Sequence, residues 1–173
     1  MNEDVLYALA AVAVTIAGFS GVVVVLPLRD TSSWSPTEVR MLRLLIGDSL
    51  IVLFLALLPV PLSLANWTPD AIWRFCSALL GSWFLIGDFL AVRGELRDRA
   101  EGQEGANPLN APIRYGIYLV ALLTGVLLWL SVFGALIPAG QALYVLGLMV
   151  LLAIAAVEFV FFIGLTLQHG RDL

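Results

Sequence analysis

The sequence predicts an all-α integral membrane protein, a bundle of five transmembrane helices with the N-terminus outside and the C-terminus in the cytoplasm. Three observations carry this. Of 173 residues, 61% are hydrophobic and 13% charged, with mean hydropathy +0.98, whereas soluble domains sit near ~45–50% apolar and ~25% charged. Apolar windows long enough to cross ~30 Å of hydrocarbon as helix run at about 5–26, 41–58, 71–92, 117–137 and 143–167. Each is bounded by Pro, Gly, charge or Trp, and none shows the short alternation of a transmembrane β-strand. The third observation is an arginine asymmetry across the connections, which sets orientation.

The first span follows Met1-Asn2-Glu3-Asp4, acidic where a signal peptide carries positive charge, so it is expected to remain as a helix. Ser35-Pro36-Thr37-Glu38 reads as a capping box, with Ser35 at N-cap, Pro36 at N1 and Glu38 at N3. The second helix therefore starts in the interface, ahead of its apolar run, and Pro59 and Pro61 end or kink it. Thr68-Pro69-Asp70 opens the third helix in the same way. Residues Gly94 to Asn110 form the one long connection, rich in Gly, Glu and Asn and expected to be partly mobile. Pro138-Ala139-Gly140 makes a short turn between the fourth and fifth spans. Trp34, Trp67 and Trp73 lie where an aromatic belt belongs.

With the N-terminus outside, the inner side holds Arg29, Arg40, Arg43, Arg93, Arg97, Arg99, Arg114 and Arg171, and the outer side only Arg74. An odd number of spans cannot divide into two inverted halves within one chain, which removes a common transporter plan. The same arginine bias forbids mixed insertion, so any self-association is expected to be parallel.

Composition excludes other classes. A disordered chain is poor in apolar residues, and Cys76, the single cysteine, builds no disulfide framework. Net charge −4 with no lysine offers nucleic acid no basic face. The single histidine, His169, lies at the interface, so no haem, metal or other cofactor is expected. GxSxG, HExxH, P-loop and CxxC patterns are absent, and no enzymatic activity is expected.

Charged groups at membrane depth cost about 2.5–3.5 kcal/mol on insertion scales and mark a pathway or a paired lock. Asp48, Asp88 and Glu158 qualify. Asp48 follows Arg43 by five residues and Asp88 precedes Arg93 by five, which places both about 7–8 Å inside the arginine level. If the second and third helices pack antiparallel, crossed bridges from Asp48 to Arg93 and from Asp88 to Arg43 become possible. The alternative is that both aspartates line a cytoplasmic vestibule. Their settings, Leu45-Ile46-Gly47-Asp48 and Leu85-Ile86-Gly87-Asp88, look alike but lie at one depth, so they are not an inverted repeat. Neither matches the Tyr-Asp or Gly-x-Gly-Asp setting of intramembrane acid proteases.

Glu158 precedes Gln168 by ten residues, about 15 Å in and near mid-membrane. Gly147 and His169 share its face, with Gly147 thinning the wall above it. Ser20 and Thr15 on the first span and Thr124 on the fourth fall at similar depths. Ser20, Asp48, Asp88, Thr124 and Glu158 are thus the candidate ion or proton pathway; otherwise Glu158 is hydrogen-bonded to a backbone carbonyl or to Thr124. Ala13, Ala17, Gly18 and Gly21 form a small-residue stripe on the first helix that suits close helix contact, within the bundle or with another subunit. Thr124 and Ser131 read as hydrogen-bonders between helices.

The stretch Ala17-Gly18-Phe19-Ser20-Gly21-Val22-Val23, followed by Trp34-Ser35-Pro36 and Arg40 and Arg43, resembles an uncharacterised family of small bacterial integral membrane proteins with an AGFxGVV-type first helix. The likeness covers about the first third of the chain. It implies a bacterial inner-membrane location and transfers no site residues. Two functions remain open: a homo-oligomeric proton or cation pathway centred on Glu158, or a non-catalytic accessory subunit of a larger, energy-transducing assembly. The expected partners are the lipid bilayer and either further copies in parallel orientation or other membrane subunits, with no nucleic acid.

Overall fold

The structure, a computed structural model, describes residues 3–25, 36–100, 111–134 and 140–169. Within those helices the backbone alone is described at 3, 19–25, 36–41, 95, 98–100, 111, 162 and 164–169. The elements are α1 (Glu3–Val25), α2 (Pro36–Leu57), α3 (Pro59–Leu64), α4 (Pro69–Ala100), α5 (Ala111–Val132) and α6 (Gln141–His169). Among the described residues every regular element is helical, as expected. Leu42–Leu64, Pro69–Gly94, Pro112–Val132 and Gln141–Phe161 are each long and apolar enough to cross a membrane. The chain is a multi-pass helical membrane protein. Helix α1 has 23 residues.

The helix ends follow local chemistry. Helix α2 begins at Pro36 and α4 at Pro69, where proline fits the first turn because its missing N–H has no helical partner there. At α4 the Thr68 hydroxyl accepts from the Ala71 N–H at 3.4 Å. The proposed N-cap Ser35 lies outside the described residues, as do Trp34, Arg29 and Arg171. After the turn at Leu58, α3 closes in a Schellman motif. Trp67 N–H donates to the Leu62 carbonyl at 3.2 Å and Asn66 N–H to that of Ser63 at 3.1 Å, with Asn66 left-handed at φ 61°. Gly134, at φ 67°, ends α5 in the same manner.

Two expected boundaries need correction. The connection placed at 94–110 is helical as far as Ala100, because Glu95-Leu96-Arg97-Asp98-Arg99-Ala100 are mostly good helix formers that carry α4 past its apolar run. Residues 101–110 lie outside the described part. The fourth span, expected at 117–137, instead occupies Ala111–Val132. Gly134 stops it before the predicted Pro138 turn, whose residues 135–139, apart from Gly140, lie outside the description.

Side chains at helical spacing make the interior: Leu6, Ala10 and Ala13 on α1; Leu45, Ser49, Val52 and Ala56 on α2; Tyr144, Leu148, Leu151 and Ala155 on α6. Helix α1 packs on α2, and α4 on α5, while α6 touches α1, α2, α4 and α5 and is the central helix. Helices α2 and α4 do not pack along one another, contrary to the hairpin that the crossed salt bridges required.

Glycines set the closest approaches. A Cβ on Gly81 of α4 would stand 3.2 Å from the Gly125 carbonyl oxygen, and one on Gly125 of α5 would stand 3.1 Å from Phe84 Cβ. Gly147 of α6 is likewise covered, with Leu80 Cδ2 2.8 Å and Leu128 Cδ1 3.1 Å from its would-be Cβ. Gly147 therefore does not thin a wall above Glu158; it admits two leucines. The expected small-residue stripe on α1 is divided: Ala13 is fully buried, Ala17 half-buried, and a Cβ on Gly18 would meet nothing within 4 Å. The Gly21 surroundings lie outside the described residues.

Candidate functional site

The carboxylates sit just beyond the main apolar cluster. That cluster joins Leu6, Ala10 and Ala13 to Val52, Leu55 and Ala56, to residues from Ile72 to Phe84, and to Tyr144, Leu148 and Leu151. It therefore fills the half of the bundle nearest α3. Asp48 lies on α2 ahead of Val52, Asp88 on α4 after Phe84, and Glu158 on α6 after Leu151, so all three lie toward the opposite end. That end carries exposed Arg43, Arg93 and Arg97.

Of the residues singled out in the sequence, the fold brings Asp48 and Glu158 together. They are close enough to interact electrostatically across the α2–α6 contact. A third participant comes from α4: the Trp83 indole N–H donates a hydrogen bond to the Asp48 side chain. The indole N–H can only donate, and the carboxylate of another helix is a strong acceptor for it. Glu158 Oε2 is buried without a hydrogen-bond partner, and so is the hydroxyl of fully buried Ser49, the residue after Asp48. Buried polar atoms without partners are uncommon because each forfeits its hydration. At this level of the bundle several remain.

The predicted salt bridges do not form. Arg43 and Arg93 make no ion pair with either aspartate, and Asp88 Oδ2 is buried with no hydrogen-bond partner. Arg43 and Arg93 are exposed, and α2 and α4 do not pack closely along one another, so Asp48 meets Trp83 instead of an arginine. An ion pair joins Arg74 to Asp70 at 3.0 Å, exposed near the start of α4, and such surface pairs contribute little. Without a bridge to break, Asp88→Asn is expected to leave the melting temperature in detergent unchanged or raise it. A clear drop would restore the paired-lock interpretation.

Other candidates resolve differently. The Thr124 hydroxyl donates to the Val120 carbonyl at 2.8 Å and Ser131 to Leu128 at 2.7 Å. Both are spent on their own helix, not between helices, as polar side chains inside helices commonly are. Thr15 does the same to Ala11 at 2.8 Å. Glu158 is thus not held by Thr124. Ser20 lies on α1 and His169 ends α6, but their side chains lie outside the described residues. Among the described residues no three His, Cys, Asp or Glu converge to hold a metal ion.

Sequence reasoning passed over Tyr144 and Trp83. Tyr144 is fully buried on α6, and its hydroxyl donates to the Leu55 carbonyl at 2.6 Å. That carbonyl would accept from the N–H of residue 59 in an unbroken helix, but residue 59 is proline. The tyrosine supplies the shorter of two bonds to that oxygen, the other coming from the Leu58 N–H at 3.3 Å. The Cys76 thiol bonds the same phenol oxygen, and the Trp73 ring lies 5.9 Å away, centroid to centroid. A tyrosine in an apolar run opposite a proline break, and a tryptophan away from the interface opposite an acid, were the signals available.

No family model, curated protein or solved structure matches this chain. Function must be drawn from the geometry of the bundle itself.

Proposed function

We propose that the protein is a homo-oligomeric proton or cation pathway in which Glu158 is the membrane-embedded exchanging group and Asp48 its neighbour. The observation that carries this is that Glu158 on α6 has a buried carboxylate oxygen without a hydrogen-bond partner and lies within electrostatic reach of Asp48 on the packed helix α2. Intramembrane acids are costly and persist chiefly where they carry ions or protons. Asp88 adds a third acid toward the arginine-rich end, where it belongs to the vestibule. Passage through the other half is assigned to an interface between copies, because the interior of one bundle is filled there by apolar side chains.

The arginine count places that end in the cytoplasm and the N-terminus outside, with α1 as a fifth span. Its bias makes the copies parallel, and the resemblance of the first third points to a bacterial inner membrane. The pathway performs no catalytic step and requires no cofactor. In proteoliposomes, Glu158→Gln is expected to reduce ion flux to that of empty vesicles while the purified variant keeps the size and helicity of the parent. Flux at the parent rate in that variant would refute the assignment.

A second interpretation draws on Gly18, whose open side on α1 leaves room for a helix from outside the chain. On it the protein is an accessory subunit of a larger membrane assembly. Native mass spectrometry after mild extraction separates the two. A whole multiple of 18.7 kDa supports the pathway, and a fixed particle containing other polypeptides supports the subunit.

A further inference from the structure

Resting on the pathway proposed above, we infer that the species exchanged at the Asp48–Glu158 pair is a proton and not a metal cation. The ligand supply around the pair decides between them. Membrane proteins replace the hydration shell of sodium or potassium with several oxygens, and backbone carbonyls freed by unwound helix provide much of that shell. Here both helices run unbroken through the site, α2 over Pro36–Leu57 and α6 over Gln141–His169, so their carbonyls accept helical hydrogen bonds. The break in α2 that does free a carbonyl lies at Leu58–Pro59, and the Tyr144 hydroxyl occupies the freed Leu55 oxygen at 2.6 Å. Leu55 is also seven residues beyond Asp48, about 10 Å along the helix.

Side chains do not make up the deficit. Asp48 already accepts the Trp83 N–H, a donor that competes with a bound cation for its lone pairs. Thr124 directs its hydroxyl to its own helix, and no third acid or histidine joins the two carboxylates in a metal-binding group among the described residues. Among the described side chains, what remains is Asp48, Glu158 and the unpartnered hydroxyl of Ser49. A proton needs only one carboxylate oxygen: an O–H bond forms on Glu158 as one breaks on the group or water that delivers it, and the reverse exchange releases it. On the elements packed here, the charged groups toward this end with described side chains are Arg43 on α2, Asp88, Arg93 and Arg97 on α4 and Arg114 on α5. The titratable residues of α1, Glu3, Asp4 and Tyr7, lie at its first turns near the α3 end.

The test uses the full chain in liposomes containing a pH-sensitive dye, with a pH gradient imposed and a lipophilic anion for charge balance. Flux is read in sodium, in potassium and with both replaced by N-methyl-glucamine. The expected result is a Glu158-dependent proton flux of equal rate in all three media, lost in Glu158→Gln and partly kept in Glu158→Asp. A flux that stops when sodium or potassium is withdrawn would overturn the proton assignment and leave the pathway standing. The absence of Glu158-dependent flux of any ion, in a variant that retains its fold, would overturn both.

Discussion

Tyr144→Ala is expected to be the most destabilising single substitution in the bundle. Tyr144 is fully buried where α2, α4 and α6 meet, and removing an aromatic ring from such a core costs about 3–5 kcal/mol through the cavity left behind. Two polar groups lose a partner as well: the Leu55 carbonyl, which keeps only the Leu58 N–H at 3.3 Å, and the Cys76 thiol. Tyr144→Phe separates the contributions. It keeps the ring and removes only the hydroxyl, so it should cost about 0.5–1.5 kcal/mol, the net worth of one hydrogen bond, because the Leu58 N–H stays on the Leu55 carbonyl. Thermal unfolding in detergent, followed by helicity, measures both. Amide hydrogen exchange in Tyr144→Phe should rise around Leu58 and α3, where the prolines at 59 and 61 remove two of the helix's own donors. A phenylalanine variant as stable as the parent would mean that the proline break is not latched by this side chain.

Gly81→Ala carries the second large effect, about 1–3 kcal/mol from overpacking. The ranking against Gly147→Ala is the sharper expectation. The closest atom to a Cβ on Gly147 is nearer, at 2.8 Å, yet it is the end of the flexible Leu80 side chain. At Gly81 the obstructing atoms include the Gly125 carbonyl oxygen at 3.2 Å and Trp129 Cδ1 at 3.0 Å. A backbone oxygen can yield only if α4 and α5 move apart. Gly81→Ala should therefore lower the melting temperature more than Gly147→Ala. Gly47→Ala, whose Cβ would meet nothing within 4 Å, should be neutral or stabilise by up to about 1 kcal/mol through helix propensity. Equal effects at all three positions would contradict the packing described for α4 and α5.

These residues show what could and could not be read from the amino-acid sequence. Membrane helices are legible because each must satisfy its own backbone within one segment, so apolar length locates them, and Pro36 and Pro69 locate two of their starts to the residue. Neighbour relations are not encoded in that signal. Small-residue spacing was noticed on α1, while Ser77 with Gly81 and Ala121 with Gly125 have the same spacing of four and form the closest interface in the bundle. The central place of α6 was equally invisible, and so was the lack of close packing between α2 and α4, with which went the salt bridges expected there. The acids themselves stood out, since charge within an apolar run is conspicuous. Which of them meet depends on helix order, and so the association of Asp48 with Glu158 and Trp83 emerged only in three dimensions.

The central claim is that Asp48 and Glu158 act as one proton-exchanging pair, and infrared spectroscopy of the carboxyl C=O stretch addresses it most directly. The band of a protonated carboxyl that disappears in Glu158→Gln identifies Glu158. In Asp48→Asn that band should shift in frequency and in the pH range over which it titrates, because its neighbour's charge has been removed. A Glu158 band unchanged in both respects would contradict the pairing.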